Sequence, residues 1–179
     1  MPPYPILKPF VVHGHDLTFR DEVVFHLKSL GMLEPVILDG IASAGKTIIE
    51  KFEIESEVCN MAVVLLTPDD KGTTMNGDSY NTARPNVWIE LGYFMARFGR
   101  KTGRTILIYK KGLDIPTDLS GVLYVDASEG IGEKNVSMRL EMELDAIATY
   151  LSAPRVAPSI SGTVPTGDLR IEGIVRLTQ

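Results

Sequence analysis

Cysteine is nearly absent from this chain. Cys59 is the one thiol in 179 residues, which excludes an internal disulfide and any cysteine-rich zinc site. It precedes an apolar run and reads as a small buried hydrophobe. Positive charge is scarce too. Lys and Arg number 18 against 23 Asp and Glu, a net charge of −5, and basic clusters stop at pairs such as Lys110-Lys111. A nucleic-acid surface is therefore not expected. No apolar run reaches the length of a membrane span, and the opening residues lack the charged-then-apolar pattern of a secretion signal. A cytoplasmic protein without a membrane partner is the expectation. What the chain does have is apolar content: 44% of residues are hydrophobic, ample for a core, and the length suits one domain.

Short β-branched runs alternate with helical patterns. The runs are 9–12 (PFVV), 35–38 (PVIL), 62–66 (AVVLL), 105–109 (TILIY) and 122–125 (VLYV). Each is continuous rather than alternating, as in strands buried on both faces. Helical patterns lie near 18–30, 46–57, 86–99 and 133–151. This alternation predicts an α/β fold, a three-layer sandwich with helices on both faces of a parallel sheet. Five strands suggest the flavodoxin-like order 2-1-3-4-5. After Leu151 the composition shifts to Pro, Gly and Ser. Residues 1–151 thus read as the domain, and 152–179 as a linker followed by a short strand over 169–177.

Residues 86–98 (NVWIELGYFMARF) form a helix pattern that is apolar almost all round, with one acid, Glu90, and one base, Arg97. Val87, Leu91, Phe94 and Phe98 share the stripe of a core face, and Glu90 falls at its edge. Asn86 is a suitable N-cap after Pro85, which places Glu90 near the first turn, where the helix dipole favours an acid. Glu90 is then either a dipole-matched helix acid or a functional carboxylate. Gly92 fits close approach by a backbone or ligand.

Ligands of open α/β sheets bind at the carboxyl ends of the strands. Here those ends are His13-Gly14-His15-Asp16, 39–47, Thr67-Pro68-Asp69-Asp70 and 110–114, and the polar loop 69–85 leads into the Glu90 helix. Residues 40–47 (GIASAGKT) match the phosphate-binding pattern G-x-x-x-x-G-K-[ST]. A complete strand-helix unit precedes them, however, and no Walker-B aspartate follows, so an anion-holding loop before a helix is the better reading. His13 and His15 lack a third metal ligand, so no metal site is expected; Asp16 or Thr18 would cap the next helix. Cys59 is at the wrong end of its strand, and no serine occupies a nucleophile elbow. Trp88 reads as a packing or stacking residue.

Four segments together, 10–16 (FVVHGHD), 45–52 (GKTIIEKF), 63–70 (VVLLTPDD) and 86–94 (NVWIELGYF), resemble the bacterial TIR-like (Toll/interleukin-1 receptor-like) domains described as predicted nucleotide-binding proteins. These occur fused to cyclic-nucleotide sensors, including bacterial STING, in anti-phage defence. The resemblance spans about 8–150. It implies a flavodoxin-like fold and, for many members, cleavage of NAD⁺ between nicotinamide and ribose. It also implies that Glu90 is the catalytic glutamate. The family's BB loop, which gates the site and joins subunits, maps to 39–47, so the phosphate-loop match falls inside it. Many catalytic members have a tryptophan one turn before the glutamate; here that position is Asn86, and Trp88 is only two residues before.

The resemblance thus implies a TIR-domain NAD⁺ glycohydrolase, active when self-assembled into an oligomer or filament through residues 39–47 and helix surfaces. NAD⁺ would be the substrate, with no resident cofactor, and a cyclic-nucleotide sensor a possible partner. The candidate catalytic residue is Glu90. The candidate substrate-binding residues are His13, Gly14, His15, Asp16, Ser43, Gly45, Lys46, Thr47, Asp70, Asn86 and Trp88. The chemistry suits a single acid: nicotinamide leaves neutral, so one ionised carboxylate beside the oxocarbenium-like ribose suffices. The competing readings are a non-catalytic TIR interaction module, a nucleoside deoxyribosyltransferase-like enzyme and, more remotely, a P-loop NTPase.

Overall fold

In the computed structural model, residues 4–39, 45, 47–119, 122 and 124–153 are described. Ser43, Lys46 and the strand expected at 169–177 lie outside them. Ten main elements follow in order: β1 (Pro9–Val12), α1 (Leu17–Ser29), α2 (Ile48–Glu57), β2 (Met61–Leu66), β3 (Asp70–Thr73), β4 (Ser79–Thr82), α3 (Pro85–Phe98), β5 (Thr105–Tyr109), β6 (Tyr124–Asp126) and α4 (Lys134–Ser152).

The main sheet is parallel, in the order β1-β2-β5-β6. Its strands alternate between two cores. Met61, Val63 and Leu65 point with Val11, Ile106 and Ile108 into a layer closed by Phe19, Val23 and Leu27 of α1 and Leu140, Leu144 and Ile147 of α4. Ala62, Val64 and Leu66 point the other way, to Phe52 of α2 and Val87, Leu91, Phe94 and Phe98 of α3. Both faces of every central strand are thereby removed from water, which is why the strand runs are continuously apolar. The four-residue α3 stripe is buried as its spacing predicts. Phe94 anchors that layer, with ring centroids 5.1 Å from Phe10 and 5.5 Å from Phe52.

The expected fifth strand at 35–38 is reduced to one parallel bridge, Val36 to Phe10. Val36 makes both ladder bonds, donating to Pro9 O at 2.9 Å and accepting from Val11 N at 2.8 Å. Pro35 has no N–H to extend the ladder. The spatial positions still follow the order 2-1-3-4-5, with this segment on the β1 edge, but the described sheet has four strands rather than five.

Two local expectations are corrected. The polar loop 69–85 contains an antiparallel hairpin, β3–β4. Its Gly72 faces Tyr80, whose ring would lie 2.1 Å from any Cβ at that position. Secondly, α3 begins at Pro85 rather than after Asn86. Arg84 is its N-cap, without a side-chain capping bond. Proline at N1 forgoes an N–H that has no helical partner anyway. Glu90 therefore lies in the second turn, beyond the strongest reach of the dipole.

Candidate active site

The carboxyl end of β1, the segment after Val36 and the starts of α1, α2 and α3 converge on a cleft of about 390 Å³. Its polar lining comprises His13, His15, Asp39, Arg84, Asn86 and Glu90, and Ile48 and Leu38 supply apolar wall. Glu90 is half-buried there. Desolvation, then the charge of Asp39, pushes its carboxyl up to about 7, and Arg84 pulls in the opposite direction. A carboxylic acid poised near neutrality in a cleft is a recognised mark of a functional site.

The β1–α1 turn is locked from several directions. His13 Nδ1 donates to Gly14 O at 2.8 Å. Its Nε2 stands 3.3 Å from Asp39 Oδ2, a contact that is attractive when the ring carries both protons. Arg20 Nη1 reaches the same Asp39 oxygen at 3.4 Å. Asp39 is thus tied to α1 and to the turn while facing Glu90. Gly14 leaves room for Asp69: a Cβ there would sit 1.7 Å from Asp69 Oδ2 and force that side chain aside. Asp69 in turn accepts from Thr67 Oγ1 at 2.9 Å.

Among the residues expected from the sequence, His13, Gly14, His15, Asn86 and Glu90 come together around this cleft. Asp16 does not line it. It caps α1 through Phe19 N at 3.0 Å and pairs with Lys110 Nζ at 2.9 Å. Desolvation opposes ionisation, but the Phe19 bond and Lys110 hold the Asp16 carboxyl below its usual range. Asp70 opens β3 and pairs with Thr82; its neighbour Asp69 is the acid at the turn. Trp88 faces the other side of α3, in a groove with Leu91, Met95 and Leu119. Its indole donates to Thr82 Oγ1 at 2.9 Å and Ala83 O at 3.1 Å.

Thr47 closes a capping box. Its amide donates to Glu50 Oε2 at 2.8 Å, and Glu50 N donates to Thr47 Oγ1 at 3.2 Å. The Thr47 hydroxyl that a phosphate loop would direct at Mg²⁺ is thus engaged with Glu50 of α2. Gly45 has φ +81°, a backbone that favours glycine. No group of three or more potential metal ligands occurs among the described residues, and none of the described helices is long and apolar enough to cross a membrane.

Two polar cleft residues escaped the sequence reading: Asp39 and Arg84. The available signals were Asp39's place at a strand end and Arg84's place beside the helix-starting Pro85. Neither signal says that the side chain turns towards Glu90.

Fold and cleft define a flavodoxin-like α/β domain with its ligand edge at the strand carboxyl ends. The family model described as CAP12/Pycsar effector protein, TIR domain, matches residues 8–129, and the chain belongs to that family. Its relatives include the uncharacterized protein YuaY of Escherichia coli (strain K12), 43% identical over 128 residues, or 71% of this chain and 42% of that protein. Protein tirC of Dictyostelium discoideum is 35% identical over 136 residues, 71% of this chain and 67% of that one. The Pycsar effector protein PaPycTIR of Pseudomonas aeruginosa is 36% identical over 85 residues, 46% of this chain and 27% of that protein. The chain thus spans about two fifths of YuaY and the matched part about a quarter of the Pycsar effector.

Proposed function

We propose that this TIR domain is an NAD⁺ glycohydrolase of the cytoplasm that acts in anti-phage defence signalling. The observation that carries the reading is the half-buried Glu90 carboxyl on the wall of a polar cleft at the ligand edge of the sheet. As the bond from ribose C1′ to nicotinamide nitrogen breaks, the electron pair leaves with the now neutral base. Positive charge develops on the sugar, where an ionised Glu90 stabilises it. Water then adds to C1′ and releases a proton, giving ADP-ribose. Asp39 adds a second negative charge facing the cationic substrate, and Arg84 and the β1–α1 turn offer donors to its anionic part.

The names of the Pycsar and CD-NTase-associated relatives support a link to cyclic-nucleotide signalling, with a sensor domain or protein as partner. Activity is expected in a self-associated state built through residues 39–47 and helix surfaces. The test is nicotinamide release from NAD⁺ at high protein concentration. Wild type is expected to turn over, and Glu90→Gln to lose at least a hundredfold in rate, in line with removal of one preorganised electrostatic group. Equal rates for the two proteins would defeat the assignment. ATP hydrolysis abolished by Lys46→Ala would instead favour the phosphate-loop reading, and nucleoside turnover without NAD⁺ cleavage the deoxyribosyltransferase-like one.

A further inference from the structure

Helix α4 carries a second apolar stripe, turned away from the sheet. Leu140, Leu144 and Ile147 are buried against the strands. Met138, Met142 and Ala146 recur every fourth residue on the outer side and are exposed, the two methionines at 54% and 68%. A groove of about 430 Å³ runs beside them, and its described lining residues all belong to α4. Arg139 and Glu143 flank the methionines there. Methionine side chains adapt their shape to an apolar partner, and covering them removes apolar area from water. This stripe lies on the α1–α4 side of the sheet, across from α3 and Glu90.

We propose that residues 169–177 (LRIEGIVRL) of this same chain fold back and cover the outer stripe of α4, running antiparallel to it. Leu169, Ile171, Val175 and Leu177 alternate with Arg170, Glu172 and Arg176, so an extended segment has one apolar and one largely charged face. Alternate residues of such a segment stand about 6.6 Å apart, and residues four apart on a helix rise about 6 Å. The two rows therefore keep step. With the segment antiparallel, Ile171 meets Ala146, Gly173 meets Met142 and Val175 meets Met138, so a large side chain faces a small one at the first two contacts. Charge agrees as well. The acids of α4, Glu141, Glu143 and Asp145, outnumber Lys134 and Arg139, whereas the segment has two arginines and one glutamate. The reach is short. Ala146 lies about 10 Å along the axis from Ala153, and the intervening residues 154–168 have three prolines and two glycines and span about 21 Å on average as a flexible chain. Such a tether gives a local concentration of order millimolar, which favours this segment over a second copy of the chain. Docking closes the outer face of α4 to other partners and holds the residues after α4 across the sheet from Glu90.

Paramagnetic broadening in the full chain tests this. Cys59 is buried, so a cysteine introduced by Gln179→Cys takes a nitroxide label selectively. The methyl signals of Met138 and Met142 are expected to be lost in the labelled chain, to return when the nitroxide is reduced, and to be equally lost on dilution. Adding Ile171→Asp is expected to keep both signals sharp, and adding Met142→Glu to keep that of Met138 sharp. Met142 is exposed, so its replacement leaves the core intact, as Tm checks. Sharp methionine signals in the labelled chain would overturn the proposal, as would broadening that survives Ile171→Asp. Broadening that fades on dilution, or that is as strong in an unlabelled chain mixed with a labelled one, would give the stripe to a second copy instead. None of these readouts involves NAD⁺, so the proposal stands or falls separately from the glycohydrolase reading.

Discussion

Glu90 shares its cleft with Asp39 and Arg84, and burial together with these neighbours sets how its carboxyl behaves. Desolvation and Asp39 hold it at about 7, and the proposed chemistry needs the ionised form. We therefore expect kcat/KM for nicotinamide release to rise with pH through about 7 and level above it. Asp39→Asn removes a like charge and should move that midpoint down, while Arg84→Ala should move it up; a pH profile of each variant reads this directly. The same shift bears on stability. The folded carboxyl titrates near 7 against an ordinary 4.5, so between those values the folded state binds the extra proton. The stability carried by the neutral carboxyl is present in full below 4.5 and is lost as pH rises through 7. Glu90→Gln should match wild type at pH 4 and exceed it at pH 8, by up to about 3 kcal/mol, in the denaturant midpoint of the ligand-free protein. Glu90 itself stood out in the sequence as a lone acid in an apolar helix. Its protonation did not, because the burial that raises it and the approach of Asp39, 51 residues away in the chain, exist only in the fold.

At the scale of elements, the β1–α1 turn and α2 show how local sequence sets the edges of the cleft. Gly14 leaves space that Asp69 fills, and Asp69 is tied to Thr67 at the end of β2. Gly14→Ala should cost about 1–3 kcal/mol through overpacking, and adding Asp69→Gly should restore part of it, as read from the urea midpoints of the single and double variants. Helices were the most legible elements, since the buried stripes of α1, α3 and α4 recur at helical spacing. The cap of α3 was read two residues too late because Asn86 is a good cap in isolation, whereas Arg84 before Pro85 at N1 is the one used. The β3–β4 hairpin was not legible. Its residues are polar on both faces, so no alternation announces it, and what holds it is tertiary: Asn81 N donates to Asp114 Oδ2 at 2.8 Å and Asn81 Nδ2 to Gly112 O at 2.8 Å.

For the molecule as a whole, the sheet separates two apolar layers. Helices α1 and α4 close one face, and there the start of the chain is fastened: Tyr4 is buried, and its hydroxyl donates to Asp145 Oδ1 at 2.9 Å and approaches Glu141 O at 3.2 Å. Tyr4→Phe should cost about 1 kcal/mol, lowering Tm by roughly 2–4 °C for a chain of this size, with no change in nicotinamide release. Helices α2 and α3 close the other face, and Ile48 at the start of α2 and Asn86, Val87 and Glu90 in the first two turns of α3 line the cleft.

By itself the sequence determined the layers. Continuous apolar strands must be covered on both faces, helical stripes must meet them, and parallel strands bring their carboxyl ends to one edge, so Glu90, His13 and Asn86 were bound to be near one another. Only the tertiary structure decided which polar groups share that edge's cleft. Asp16 and Asp39 both follow strand ends and carry the same carboxyl. Yet one is taken by Lys110 and a helix cap, and the other is turned towards Glu90 by His13 and Arg20. Side-chain direction depends on long-range partners, and a linear pattern of residue types does not encode them.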